Sequence, residues 1–396
     1  MTAIAGPLTI VADDLTGAAD AAGAYGETYS SAIVFGVDGS WPDAEILAVD
    51  TESRHLPEIE AAELVASAVR RSVLMGRPVF KKIDSLLRGN VGAEVSAALA
   101  ELAHAERGIA VVAPAFPATG RTTFGGVVHV DGVPHTAGPF QGNIVWALSA
   151  GGLKTGHLAT TSRSPEELAK RVHVMHGEGF DAVVLDATND ADLKQIARAM
   201  KLLDLPALIV GSGGLASHVA PARPRGDQNL ADRFNLSRVL IVVGSYSVVA
   251  RSQIQALLKD GIHHVELNLD NPSKANMWTQ LAHSSSDTLL TPDLAAPVAK
   301  ENAAAVAAML AATVRAIVDD YDALVLTGGE TARAVVDALG VDHLRVLGEI
   351  EPGVVLSELP RRGQLVVTKS GAFGDPETLA RVVNTLKTTT KKVNIQ

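Results

Sequence analysis

Short apolar runs alternate with stretches of helical character along almost the whole chain, and this alternation restricts the fold more than any other feature. The runs at 8–12, 32–35, 46–49, 79–82, 109–113, 182–185, 207–210, 239–243, 264–267, 323–326, 344–346 and 364–368 have strand length. Helical stretches such as 58–75, 91–106, 165–176, 299–318 and 376–386 separate most of them. Continuous apolar runs belong in sheets covered on both faces, and strand–helix–strand order makes those sheets parallel. One segment departs from the pattern. In GVVHVDGVPH, 126–135, an Asp-Gly pair between short apolar stretches spells a β-hairpin.

The chain has 396 residues, enough for two domains. Apolar periodicity lapses in PARPRGDQNLADR, 221–233, which is rich in Pro, Arg, Gly and Asp. The expected division is a first domain over 1–225 and a second over 235–396. A further lapse over 268–283 reads as a loop within the second. The expected fold is therefore α/β, with two domains that are each built on a mainly parallel sheet flanked by helices.

Composition narrows the function. The net charge of −10 comes without a basic stripe, which argues against nucleic acid as a partner. Cysteine is absent, so disulfides, thiolate metal sites and cysteine nucleophiles are excluded. No signal-like start and no uncharged apolar run near ~18 residues is present, so we expect a cytoplasmic protein without a membrane partner. The acidic chain permits a homodimer.

Ligands of open parallel sheets bind at the carboxyl ends of the strands. In the first half these ends are charged. The run 8–12 leads into Asp13-Asp14, the run 46–49 into Asp50-Thr51-Glu52-Ser53-Arg54, and the run 79–82 into KKIDSLLRGN, 81–90. The run 109–113 leads into APAFPATGRTT, which carries Arg121. Carboxylates, hydroxyls and guanidinium groups at one edge suit a small polyhydroxylated anion. In the second half the ends are GSYS (244–247), TGGET (327–331) and KSGAFGD (369–375). Glycine bares backbone N–H groups before a helix, and such loops cradle phosphate. Together the two halves read as phosphoryl transfer from a nucleotide to a small hydroxy acid.

Each signal has a plainer counterpart. Asp13-Asp14 could be a turn with a helix N-cap, KKIDSLLRGN a solvated turn, and any one glycine loop an ordinary turn. GSGGLA, 211–216, formally fits a dinucleotide pattern, but the chain then enters the Pro/Arg/Gly segment where a ribose-binding acid would be needed, so a tight strand–helix turn is expected. His173, His176, His263 and His264 read as surface residues. Serine-hydrolase, zincin and Walker A motifs are missing.

ADDLTGA, KKIDSLLRGN, PAFPATGRTT with the hairpin DGVP, GSYS, TGGET, GEIEPGV and VVTKSGAFG occur in that order over about 8–385. In this the chain resembles the four-carbon acid sugar kinase family of D-threonate, D-erythronate and 3-oxo-tetronate kinases. The resemblance implies an N-terminal acid-sugar domain, a C-terminal ATP domain and an active site in the cleft between them. It places substrate contacts on Asp13, Asp14, Arg54, Lys82, Ile83, Asp84, Ser85, Arg88 and Asn90. It places ATP contacts on Ser245, Ser247, Gly328, Gly329, Glu330, Thr331, Gly371 and Gly374, with Gly348, Glu351 and Gly353 on the nucleotide side. Mg²⁺ would accompany ATP, through ligands the sequence leaves unknown. Tyr246 and Ala250 depart from the family's pattern, where Cys and Thr are common. In the expected mechanism Arg54 clamps the substrate carboxylate, Arg88 supports the loop, Lys82 offsets charge, and Asp14 or Asp84 accepts the hydroxyl proton. The alternatives are a nicotinamide-dependent oxidoreductase of a small hydroxy acid, working through GSGGLA, and a non-catalytic sugar-acid-binding protein.

Overall fold

The structure, a computed structural model, describes residues 7–102, 107–160, 163–219, 236–268, 286–294 and 302–387. The chain divides into two compact units, Met1–Pro224 and Arg225–Gln396. The segment 221–233, read as a linker, lies outside the described residues, as does nearly all of the loop 268–283.

The first unit is built on β1 (Leu8–Ala12), β2 (Ser31–Phe35), β3 (Ile46–Asp50), β4 (Val79–Lys82), β5 (Ile109–Ala113), β9 (Thr155–Leu158), β10 (Ala182–Leu185) and β11 (Ala207–Gly211), with β6 (Arg121–Phe124), β7 (Val127–Val130) and β8 (Val133–Pro134) apart from them. The main sheet runs β2–β3–β1–β4–β11–β5–β10–β9 with every neighbour parallel. Its helices are α1 (Leu15–Gly23), α2 (Glu58–Leu74), α3 (Val91–Leu102), α4 (Ile144–Ala150), α5 (Pro165–Gly177), α6 (Asp190–Met200) and α7 (Gly213–Val219). The strands are continuous apolar runs because helices shield both faces. Val11, Val49, Ile83, Val112 and Val184 pack with Val65, Val69 and Val95 of α2 and α3 in one core cluster.

The hairpin expected at 126–135 is the far half of a three-stranded antiparallel sheet, β6–β7–β8. Asp131 and Gly132 turn β7 into β8 with φ 49° and 82°, the paired positive angles that an Asp-Gly hairpin turn requires. Arg121–Phe124 forms the added strand.

The second unit comprises β12 (Val239–Val243), β13 (His263–Leu267), β14 (Thr288–Pro292), β15 (Ala323–Thr327), β16 (His343–Glu351), β17 (Val354–Glu358) and β18 (Leu365–Lys369). Its order is β13–β14–β12–β15–β18–β17–β16, parallel up to β18 and antiparallel on both sides of β17. Helix α8 (Val248–Lys259) and the helices Ala303–Ile317, Gly329–Ala338 and Thr378–Lys387 cover it. A separate core forms around Val239, Ile241, Ile254, Val325, Val367 and Val382. No helix among the described residues is long and apolar enough to cross a membrane.

Candidate active site

Because β3, β1 and β4 are adjacent and parallel, the segments after them emerge side by side. Arg54 is the centre of what gathers there. Its Nε and Nη2 donate to the two oxygens of Asp13 at 2.7 and 2.9 Å, and its Nη1 and Nη2 donate to those of Asp14 at 2.6 and 2.8 Å. Asp84 lies 3.8 Å from the same guanidinium. Two adjacent acids at a strand end are thus held by one planar cation, the geometry for which arginine is suited. Burial alone would raise the Asp13 carboxyl, but Arg54, Lys81 and Lys82 hold it below its ordinary value. Asp14 also caps α1, accepting from the Gly17 N–H at 2.8 Å and from the Thr16 hydroxyl at 2.7 Å. It is therefore both the N-cap and a member of the charged cluster.

Asp84 is engaged on the other side. Arg88 Nε and Nη2 donate to it at 2.9 and 2.6 Å, and the Leu86 and Arg88 N–H groups add bonds at 3.0 and 3.2 Å. Against its burial, Arg88, Arg54 and Lys82 hold this carboxyl far below the usual carboxylate range. The loop strains to achieve this, since Leu87 has φ 62° without being glycine.

Lys82 is buried, and its ammonium donates to the Ile83 carbonyl at 3.1 Å, with no ion pair among the described residues. It lies across Gly17, where a Cβ would stand 3.0 Å from Nζ and 2.6 Å from Asp14 Oδ1. The glycine of ADDLTGA makes room for that ammonium. Ile83 contributes its backbone, while its side chain belongs to the core. Arg121 Nη1 donates to the Ser85 hydroxyl at 2.6 Å. Burial pushes the Arg121 guanidinium down, whereas the aspartates around Arg54 hold that group well up despite its burial. Asn90 Nδ2 ties the loop to the Ser53 and Leu56 carbonyls at 3.3 and 2.9 Å. Beneath the cluster, Lys81 pairs with Glu94 at 2.8 Å, and Glu94 accepts from Ser53 at 2.6 Å.

In the second unit the three glycine loops meet. The Gly244 N–H donates to Thr327 O at 3.3 Å and the Gly328 N–H to Lys369 O at 2.9 Å. The Ser247 hydroxyl caps α8, accepting from Ala250 N at 3.0 Å, and donates to Gly371 O. The approach is too close for side chains. A Cβ on Gly371 would stand 2.0 Å from Ser245 Oγ, and one on Gly244 would stand 2.0 Å from Thr331 Oγ1. Gly328, at φ 102°, precedes the helix that opens with Gly329 and an exposed Glu330. Gly374, at φ 85°, packs its bare Cα against Thr378.

Around the third loop, Gly353 faces the Phe373 ring, and Glu351 accepts from Arg381 at 2.9 Å. Gly348 sits at a register shift between β16 and β17. Lys369 ends β18 buried, donating to Ser370 O and Phe373 O at 2.8 and 2.9 Å, and burial pushes its amine down to about 8. Gln253, which the reading of the loops passed over, braces the same turn by donating to Phe373 O and Asp375 O at 3.1 and 2.8 Å.

The glycines of GSGGLA are spent on packing. A Cβ on Gly214 would fall 2.5 Å from Ala115 O, and one on Gly213 would fall 2.2 Å from Asp20 Oδ2. That fits a tight β11–α7 junction rather than a cradle left open for a pyrophosphate.

Two family models together cover most of the chain. Residues 8–219 match the model of a sugar-binding N-terminal domain, and residues 240–379 match that of a nucleotide-binding C-terminal domain. A D-threonate kinase of Cupriavidus necator is 35% identical, over 93% of this chain and 95% of its own. The chain belongs to the four-carbon acid sugar kinase family. Another of its members, a D-threonate kinase of Bordetella bronchiseptica, is 33% identical over 96% of this chain and 97% of its own. A 3-oxo-tetronate kinase of Pseudomonas savastanoi pv. phaseolicola is 31% identical over 96% and 97%. Two solved structures share the fold of this acid sugar kinase family member. One, titled a putative tRNA synthase of Salmonella typhimurium, has TM-score 0.78 at 20% identity and covers 95% of this chain and 98% of its own. The other, a Haemophilus influenzae protein, has TM-score 0.72 at 21% identity and covers 96% and 100%.

Proposed function

We propose that the protein is a cytoplasmic kinase that transfers the γ-phosphoryl group of ATP to a hydroxyl of a four-carbon acid sugar, with D-threonate the first candidate. The observation that carries this reading is the Arg54-centred cluster. It orders Asp13, Asp14 and Asp84 as fixed hydrogen-bond acceptors beside the cations Lys82 and Arg121. Acceptors for hydroxyls next to cations for a carboxylate match a small polyhydroxy acid. Arg54 serves this site as an organiser, since its donors are directed at Asp13 and Asp14. The carboxylate grip passes to Lys82 and Arg121, with Ser85 beside them.

In the same reading Asp14 and Asp84 fix the substrate hydroxyls, Arg88, Asn90 and Ile83 hold the loop in shape, and Lys82 also offsets charge during transfer. Ser245, Ser247, Gly328, Gly329, Glu330, Thr331, Gly371 and Gly374 form the nucleotide side, with backbone N–H groups meeting the phosphates and Gly348, Glu351 and Gly353 framing the third loop. Transfer of this kind depends on positioning and charge neutralisation. Mg²⁺ accompanying ATP would supply further charge neutralisation at the phosphates; no cluster of three or more His, Asp or Glu side chains suited to a metal is found among the described residues.

ADP release measured with D-threonate, D-erythronate, their enantiomers and 3-oxo-tetronates tests the proposal. Turnover of at least one is expected, with D-threonate best. ATP left intact with every acid sugar would overturn it and would favour a binding protein.

A further inference from the structure

Four aspartates stand around the charged cluster, and three of them are committed. Asp13 and Asp14 are bound to Arg54, and Asp84 to Arg88. The fourth, Asp20, lies one turn along α1 from Thr16 in an otherwise apolar and small stretch, LTGAADAAG. Its side chain is buried, and its Oδ1 has no hydrogen-bond partner. It rests against Gly213 at the start of α7, where a Cβ would come within 2.2 Å of Oδ2, so the glycine preserves its place. Burial raises its carboxyl to about 6, and the groups acting on it are Lys82 of β4 and Arg121 of β6, which lower it, and Asp14 and Asp84, which raise it. Those two cations are the ones assigned above to the substrate carboxylate.

A carboxylate fixed by a bidentate guanidinium is a poor proton acceptor, because its lone pairs are occupied and its conjugate acid is strong. A desolvated carboxylate without a donor is a better one. We propose that Asp20 is the catalytic residue that accepts the proton of the attacking hydroxyl. This deepens the kinase reading and rests on it. The substrate O–H gives its proton to Asp20 as the oxygen bonds to the γ-phosphorus. The bond from that phosphorus to the bridging oxygen breaks, and ADP leaves with the electron pair. Substrate carboxylate bound at Lys82 and Arg121 would offset the two cations that lower Asp20 and make it more basic when the hydroxyl arrives.

The test is the pH dependence of kcat/KM for the acid sugar in wild type, Asp20→Asn and Asp20→Glu, with tetronate binding and thermal unfolding measured alongside. Wild type should lose about tenfold per pH unit below an apparent pKa near 6. Asp20→Asn should bind the tetronate within about threefold of wild type, lose at least ~100-fold in kcat, and show a flat acid limb. Asp20→Glu should keep the limb and lose at least ~10-fold in kcat, which decides the matter if the Asn variant does not fold. An Asp20→Asn enzyme within about threefold of wild type, or an unchanged acid limb in it, overturns the proposal. So do a wild-type profile without the limb and an Asp20→Glu enzyme of normal rate. A wild type that binds tetronates and never releases ADP overturns the kinase reading itself, which is a separate result.

Discussion

The two units order their strand-end segments by opposite means. The first uses side-chain charge. Asp13, Asp14 and Asp84 are held by Arg54 and Arg88. The second uses close backbone approach, with Gly244 and Gly371 where a Cβ would collide with a neighbouring loop and Gly328 at a φ of 102°. A charged site is ordered by ion pairs and fails when one partner is removed, because the other charges are left buried. A glycine site is ordered by close approach and fails when an atom is added.

The largest expected effect breaks the first region. Arg54→Ala leaves the buried Asp13 and the partly exposed Asp14 side by side without their shared cation, and should cost about 3–5 kcal/mol in urea unfolding and at least ~100-fold in kcat/KM. Asp84→Asn should lose at least ~100-fold in kcat/KM with a smaller stability change, since Arg88 is half exposed. Next comes the second region. Gly371→Ala drives a methyl into Ser245, and such overpacking should raise the KM for ATP by about tenfold or more while leaving tetronate binding unchanged. Normal ATP kinetics in this variant would remove the glycine-loop account.

A smaller effect has a definite sign. Asp20 holds its proton up to about pH 6 when folded, against 3.8 as the ordinary value. The native state therefore binds the extra proton between these values, and stability falls as pH rises through that window. Asp20→Asn removes the penalty, so it should unfold later than wild type at pH 8, by up to roughly 3 kcal/mol, with the gain gone below about pH 4. An Asn variant less stable than wild type at pH 8 would show that the carboxylate is a structural anchor. Smallest of all, Arg381→Ala at the exposed pair with Asp375 and Glu351 should shift stability by no more than about 1 kcal/mol.

The same contrast explains what the sequence made legible. Buried parallel strands such as β5, β10 and β12 announce themselves as unbroken apolar runs. Strands with a wet face do not. β9, Thr155–Leu158, lies at a sheet edge and mixes Thr, Gly and His, while β6, Arg121–Phe124, alternates polar residues in a small antiparallel sheet. β17 went unread because it returns antiparallel between β16 and β18, an order that strand–helix alternation does not foresee. Of the charged site, the residues were visible but their partners were not. Nothing in the spacing of Asp13, Asp14 and Arg54 distinguishes a guanidinium aimed at a ligand from one spent on its own chain. Asp20 was hidden for a related reason, since its burial against Gly213 depends on α7, a helix nearly two hundred residues away.

Calorimetric titration of wild type, Lys82→Met and Gly371→Ala, each with D-threonate and with ADP, tests most directly whether two chemistries read two ligands. Lys82→Met should lose at least ~10-fold in tetronate affinity and keep ADP affinity within about threefold, and Gly371→Ala should do the reverse. Loss of both ligands in either folded variant, or loss of the wrong one, would contradict the assignment of charge to the acid sugar and backbone to the nucleotide.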